Sequence, residues 1–474
     1  AEPESPHLSS RLLKNGLKVI IYESHISPVV QIMGSLQAGQ AYTARTKPAY
    51  SLLASNLLSQ GSAKRNRLQL LSLQDDLGIA PAQMLKFQSG METIDFSGCC
   101  LARDLNIELD MLSESLTQPA MDDSSLDRAK QDSSAFLKHS EGSVGAKVDR
   151  VLLQGLLDEN SPFCPADQTD ISKSIASADV AEMQKFFANH IVPSACTLVI
   201  AGDCNPEQVY TALERGFGKW TQKSSHTQLH AKIRSQRILR SSLPIKDSKK
   251  SSVCFGQIIP MSKSHPEYGS LLVADSILVN HPMFSRFEQA LSRNPALESA
   301  IAGGDMTVKL EPISNLTRWS LSLYLDPSAV PVSVKGIKTE LKQLSKTGVS
   351  PEEFREAKSY LLGALPVRTQ STLSAVANSL LESAEHSDTI NGYSAEMNSV
   401  RNASVDSVNK VIRATFKPEQ STIVIAGAAQ AIKSARPQSP SAIEPQPKPN
   451  NAPAASGEKK KDATNQKSKA ASHN

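Results

Sequence analysis

Apolar positions follow two different rhythms along this chain. Short runs rich in β-branched and aliphatic residues predict strands at Leu17–Tyr22, Val29–Met33, Met91–Phe96, Ser252–Ile259 and Trp319–Leu325. Stretches with apolar residues three and four apart predict helices over 48–59, 66–77, 102–117 and 329–346. In both halves strands come first, helices follow, and a further strand precedes a long helix. Strands and helices in separate clusters predict α+β layers rather than a βαβ winding.

The pattern repeats. Residues 193–202 read Pro-Ser-Ala-Cys-Thr-Leu-Val-Ile-Ala-Gly, and residues 418–427 read Pro-Glu-Gln-Ser-Thr-Ile-Val-Ile-Ala-Gly. Upstream, Ser125-Leu-Asp-Arg-Ala-Lys130 is echoed by Glu353-Phe-Arg-Glu-Ala-Lys358. Two echoes in the same order predict a duplicated domain, with a repeat too long for a solenoid. The expected organisation is a first domain over 1–222, a basic linker over 223–250, a second domain over 251–432 and a disordered tail over 433–474. The linker is polar and carries Lys and Arg almost to the exclusion of acids. The tail is rich in Pro, Ala, Ser and Lys and cannot bury a core.

Composition narrows the function. The chain has 474 residues, 39% hydrophobic and 21% charged, as an ordinary globular protein does. The net charge of +4 resides in the tail, which leaves the body neutral. With aromatics at only 5%, there is neither a basic face nor a stacking surface for nucleic acid. No apolar run reaches the 18 or so residues a membrane span needs. The start at Ala1, followed by Glu2-Pro-Glu-Ser-Pro6, reads as a mature end left by cleavage of a targeting segment. Because that start is acidic, the periplasm is the expected compartment and a mitochondrial one the alternative. The cysteines Cys99, Cys100, Cys164, Cys196, Cys204 and Cys254 show no CxxC spacing and are expected as separate buried thiols.

The opening of the chain resembles a known family. Arg11-Leu-Leu-Lys-Asn-Gly-Leu-Lys-Val-Ile-Ile21, Ser27-Pro-Val-Val30 and Leu36-Gln-Ala-Gly39 look like the start of the M16 metallopeptidases, which include pitrilysin and the mitochondrial processing peptidases. The resemblance runs through residues 10–430 and implies two homologous α+β domains of layered antiparallel sheet with packed helices. In an active M16 chain the next helix carries His-x-x-Glu-His: two histidines four apart hold zinc, and the Glu is the general base. Anchored on Leu57-Leu-Ser-Gln-Gly-Ser62, the resemblance puts Leu52 and Asn56 at the ligand positions and Ser55 at the base position. A shifted register does not restore the motif, since residues 41–74 contain no His, Asp, Glu or Cys. The later Glu ligand is expected near Ala135–Phe136, where the nearest carboxylate is Asp132. The substrate-holding Arg and Tyr of split M16 enzymes fall on Ser292 and Ser299, after the helix Phe284–Leu291. A one-residue slip would bring Arg293 to the Arg position, and no Tyr lies between Tyr268 and Tyr324.

Other chemistry is weaker still. His226 and His230 are four apart but sit in the basic linker without an acidic neighbour. No G-x-S-x-G elbow supports a serine nucleophile. Ala302-Gly-Gly-Asp305 lacks the Lys and Ser/Thr of a phosphate loop and reads as a turn. Asp122-Asp123 reads as a helix cap rather than a catalytic pair. The expectation is therefore a non-catalytic M16-like subunit without metal or cofactor. Its partner would be a zinc-bearing M16 chain or a second copy, with an unfolded peptide as the bound species. The alternative is a structural subunit of an envelope or membrane complex with no proteolytic role.

Overall fold

The computed structural model describes residues 7–427 apart from 224–228, 237–239, 247, 282–284, 294–305 and 387–391. The first six residues, His226, Ser299, Ala302–Asp305 and the tail 433–474 lie outside the described residues.

The first half contains β1 (His7–Leu12), β2 (Lys18–Glu23), β3 (Val29–Leu36), α1 (Tyr50–Leu57), α2 (Arg67–Asp76), β4 (Lys86–Ser89), β5 (Ile94–Leu101), α3 (Leu105–Thr117), α4 (Asp123–Gly142), α5 (Val144–Leu156), α6 (Gln168–Ser177), α7 (Val180–His190), β6 (Cys196–Gly202) and α8 (Pro206–Phe217). The second contains β7 (Arg240–Pro244), β8 (Ser251–Ile259), α9 (Tyr268–Asp275), α10 (Arg286–Ser292), β9 (Met306–Ile313), β10 (Leu316–Leu325), α11 (Val330–Thr347), α12 (Pro351–Gln370), α13 (Leu373–His386), α14 (Gly392–Asn402), α15 (Val405–Thr415) and β11 (Thr422–Gly427).

The duplication shows directly in the strand order. One sheet runs β1-β2-β6-β3-β5-β4 and the other β7-β11-β8-β10-β9, so apart from β1 the two match position for position. The repeated Ile-Ala-Gly stretches are β6 and β11. Each is the last described strand of its half, and each inserts between two strands that run in opposite directions. It must therefore be parallel to one neighbour, β2 or β7, and antiparallel to the other, β3 or β8. The sheets are mixed for this reason, a correction to the antiparallel layers that the resemblance implied. Both repeats end in Gly because another strand passes too close for a side chain. A Cβ on Gly202, whose φ is +137°, would lie 2.1 Å from the Val29 carbonyl, and one on Gly427 would lie 2.3 Å from Ser251 Oγ. The second echo opens α4 and α12, both 20 residues long and capped by Asp122 and Ser350.

Two further expectations shift. The strand expected at Met91–Phe96 begins at Ile94, because residues 90–93 form a turn closed by Gly90 N–H donating to the Thr93 carbonyl at 2.7 Å. The stretch 223–250 is more than an exposed linker. Its Arg240–Pro244 forms β7, a strand of the second sheet, while Ala231 is buried beside Phe163 and Leu316. Apolar residues spaced among its charges give that stretch a core face.

Each half covers the sheet of the other. Helix α5 packs on β8 and β11, placing Val148, Leu152 and Leu156 against Cys254, Val424 and Ala426. Its second-half counterpart α13 packs on β3 and β6, placing Ala377 and Leu381 against Ile20, Val199 and Ala201. Polar contacts follow the same exchange. Asp149 on α5 pairs with Arg318 of β10 at 3.4 Å, and Lys18 of β2 donates to the Ala384 carbonyl near the end of α13 at 3.2 Å. Residues 1–435 accordingly form one compact unit.

Candidate functional site

Helix α1 sits under the first sheet, with Leu53, Ala54 and Leu57 in the core. Its N-terminus is fixed by Glu182 of α7, which takes both Lys47 and the Tyr50 hydroxyl, and by Ala49 N–H donating to Ser174 Oγ at 3.2 Å. Leu52, Ser55 and Asn56 follow on this short helix. Leu52 is half-buried at the wall of a cavity that Phe136 also lines. Ser55 is buried and donates back to the Leu52 carbonyl at 2.9 Å. Asn56 Nδ2 donates to Ser133 Oγ on α4 at 2.8 Å, and Gln60 Nε2 donates to Asp132 Oδ2 at 3.0 Å.

The residue of α4 that faces Asn56 is thus Ser133, two positions before the expected Ala135–Phe136. Ala135 is exposed, and Phe136 turns into the cavity one helical turn on. These groups do not fit zinc. The metal takes thiolate, imidazole or carboxylate, whereas this seam offers an aliphatic chain, an amide and hydroxyls, with its one carboxylate already accepting from an amide. Among the described residues no three His, Cys, Asp or Glu side chains converge for a metal.

The remaining sequence candidates are dispersed. Ser292 ends α10, whose Arg286 is held by Glu353 at 2.7 Å, and Arg293 lies just beyond it, donating to Gln289 Oε1 at 3.4 Å. His230 is exposed. Asp122 accepts from Ser125 N–H at 2.8 Å as the cap of α4. All six cysteines are free thiols. Burial pushes Cys204 up to about 12 and Cys254 up to about 11, so neither forms a thiolate at neutral pH. No described helix is long and apolar enough to cross a membrane.

Between the halves lies a cleft of about 870 Å³. One wall is the edge strand β4, through Lys86 and Gln88, with Asp95 of β5 beside it. The opposite wall is the edge strand β9, through Val308 and Leu310, with α12 and α13. The hairpin turns of these edges meet where Ser314 N–H donates to Glu92 Oε1 at 2.7 Å. Glu385 of α13 opens into the cleft with protein on its other sides. Burial pushes its carboxyl up to about 7, against a hydrogen bond from Ser35, and Asp95, Glu382 and Glu92 add to the rise. Lys263 bridges Glu382 at 2.8 Å and Glu396 at 3.8 Å.

Two buried acids, Glu108 and Asp275, and the cleft-facing Glu385 were missed in the sequence. Glu108 belongs to the apolar stripe Leu105, Leu109, Leu112, Leu116 of α3. It is fully buried, has no hydrogen-bond partner among the described residues, and is pushed up to about 7 by burial. Asp275 stands in the apolar run from Leu271 to Leu278. Burial raises its carboxyl to about 6, although Asn280 Nδ2 at 2.6 Å and Trp319 Nε1 at 2.8 Å donate to it. A lone acid inside an apolar run marks Asp275, and an acid on the apolar face of a helix marks Glu108. Glu385 has no comparable local signal, because its surroundings come from the other half.

Known proteins resemble the chain across this architecture. Residues 177–361 match the family model described as the Peptidase M16 inactive domain. A curated relative, the non-peptidase homologue YmxG of Helicobacter pylori (strain ATCC 700392 / 26695), is 20% identical over 412 residues, spanning 86% of this chain and 91% of its own. Among solved structures, a peptidase M16 inactive domain from Pseudomonas fluorescens superposes with a TM-score of 0.78 at 15% identity, over 89% of this chain and 98% of that one. A protease from Helicobacter pylori superposes with a TM-score of 0.76 at 15% identity, over 89% of this chain and all of that one. The chain is thus similar, over 177–361 and in its fold, to M16 proteins, and the matches include ones described as inactive or non-peptidase.

Proposed function

We propose that this chain is a non-catalytic M16 subunit that holds an extended peptide in its cleft and works beside a zinc-bearing M16 chain. Leu52, Ser55 and Asn56 stand, on this reading, where an active chain carries its zinc ligands and base. The observation that carries the proposal is the cleft itself. An emptied metal seam coexists with an open space of about 870 Å³, large enough for several residues of extended chain. It is bounded by β4, the last strand of its sheet, whose outer edge faces no further strand among the described residues. An unpaired edge offers backbone N–H and C=O groups to a bound strand, and flanking side chains select its sequence. Among the described residues no three His, Cys, Asp or Glu side chains converge for a metal beside that edge, and on this reading the bound peptide is positioned rather than cut.

Affinity purification from the native source with cross-linking and mass spectrometry tests the pairing. Recovery of an M16 chain carrying His-x-x-Glu-His is expected. Recovery of this chain alone, or within an assembly that has no such partner, would sink the proposal.

A further inference from the structure

A second cavity, of about 480 Å³, lies beside α1 where Leu52 and Phe136 form part of its wall. Three guanidinium groups from separate parts of the chain line it: Arg45 before α1, Arg150 on α5 and Arg234 after the first half. None of them is in an ion pair among the described residues. The Arg150 side chain donates to Gln168 Oε1 at 2.5 Å, and Arg234 donates to the Gln154 carbonyl at 3.0 Å, both neutral acceptors. Arg45 and Arg234 both lie within electrostatic reach of the Cys164 thiol, so the two cations share one corner.

Glu159, Asp167 and Asp170 share the lining but form no ion pair with these arginines among the described residues. Asp170 pairs with Lys173 at 3.7 Å, Asp167 accepts from Gln154 Nε2 at 2.9 Å, and Glu159 is exposed. Burial of Arg150 lowers its pKa despite Asp167 and Glu141 nearby, as for a cation short of counter-charge. Ser89, Ser140 and Ser161 add hydroxyls to the same wall.

We propose that this cavity binds an oxyanion, a carboxylate or phosphate group, between Arg45, Arg150 and Arg234. Planar guanidinium forks match the paired oxygens of such groups, and three of them around one cavity favour a negative ligand. The wall also includes Ser89 and Met91, at the end of β4. A chain lying on β4 would therefore present a side chain here, and that source of the anion rests on the peptide reading given above. A free small acid is the other source.

The test uses the full chain and four probes: inorganic phosphate, citrate, and two labelled extended decapeptides, one alternating Glu with Thr and one alternating Lys with Thr. Binding is read by calorimetry for the small anions and by fluorescence anisotropy for the peptides. The Glu peptide or a free anion is expected to bind, and Arg45→Gln combined with Arg234→Gln should weaken that binding about tenfold or more. Arg150→Gln gives a second, independent loss, and circular dichroism with melting shows that each variant stays folded. Phosphate or citrate binding through these arginines while neither peptide binds upholds the oxyanion site and removes the peptide reading. Equal binding of both peptides, unchanged in the variants, overturns the oxyanion site and leaves the peptide reading standing. Absence of binding by every probe overturns the oxyanion site as well.

Discussion

Helices α1 and α9 hold the same place in the two halves and have diverged in opposite directions. Helix α1 rests on α6 through Ala49 and Ser174 and on α7 through Tyr50 and Glu182. Helix α9 rests on α14 through Gly269 N–H donating to Ser399 Oγ at 2.8 Å, and on α15 through Ser270 and Ser407, also at 2.8 Å. At the end of α9, Asp275 is buried with Trp319 and Asn280 at the wall of the cleft between the halves. Alongside α1, Asn56 meets Ser133 at the edge of an open cavity lined with arginine. One copy has turned its polar group into a buried fastening. The other leaves its polar group, Asn56, half-exposed on a helix that borders a cavity.

The reciprocal helices give the largest test of how alike the halves remain. Leu152→Ala removes a fully buried side chain from the second sheet and should cost about 4 kcal/mol in urea unfolding. Leu381→Ala, slightly exposed on the first sheet, should cost about 2–3 kcal/mol. Separate unfolding transitions in these variants would break the picture of one cooperative unit. Next in size, Asp275→Ala strands the Trp319 N–H and the Asn280 amide in the core. It should cost about 3 kcal/mol by the same measurement, and a loss below that of Asn56→Ala would reverse the contrast between α1 and α9.

Glu108 supplies a pH test. Its carboxyl titrates at 4.5 in the ordinary state and at about 7 in the fold. Between those values the folded chain keeps a proton that the unfolded chain releases, so stability falls as pH rises through that window. Glu108→Leu should remove this contribution and gain about 2–3 kcal/mol more at pH 8 than at pH 4 in paired urea titrations. Parallel pH profiles for parent and variant would refute the assignment. The smallest effect is that of Asn56→Ala, about 1 kcal/mol for a half-exposed amide hydrogen bond.

Much of this was legible in the residues themselves. The echo of β6 in β11 located equivalent strands, because a central strand fixes both faces of its sequence. The helices around 50–57, 67–76 and 330–347 followed from apolar spacing, and the lack of zinc-ligand residue types near α1 needed only a count over 41–74. What stayed hidden depends on partners distant in the chain. The contact of Ser133 with Asn56 turns on which side α4 shows to α1. The arginine cavity draws Arg45, Arg150 and Arg234 from three separate segments, and Arg150 alone reads as one more surface charge on an amphipathic helix. The edge strand β4 has only four residues, Lys-Phe-Gln-Ser, so alternation marks it poorly. The exchange of α5 and α13 is invisible locally, since each has an apolar face that would fit either sheet.

That exchange has a consequence for biosynthesis. The sheet of the first half is complete in sequence at Gly202, but the helix that covers Ile20, Val199 and Ala201 ends only at His386. Roughly 180 residues must still leave the ribosome, about 10–40 s at elongation rates of about 5–20 residues per second. Throughout that interval the nascent chain carries a bare apolar sheet face. Until its own second half arrives, the first half is a client for any chaperone that reads exposed aliphatic surface.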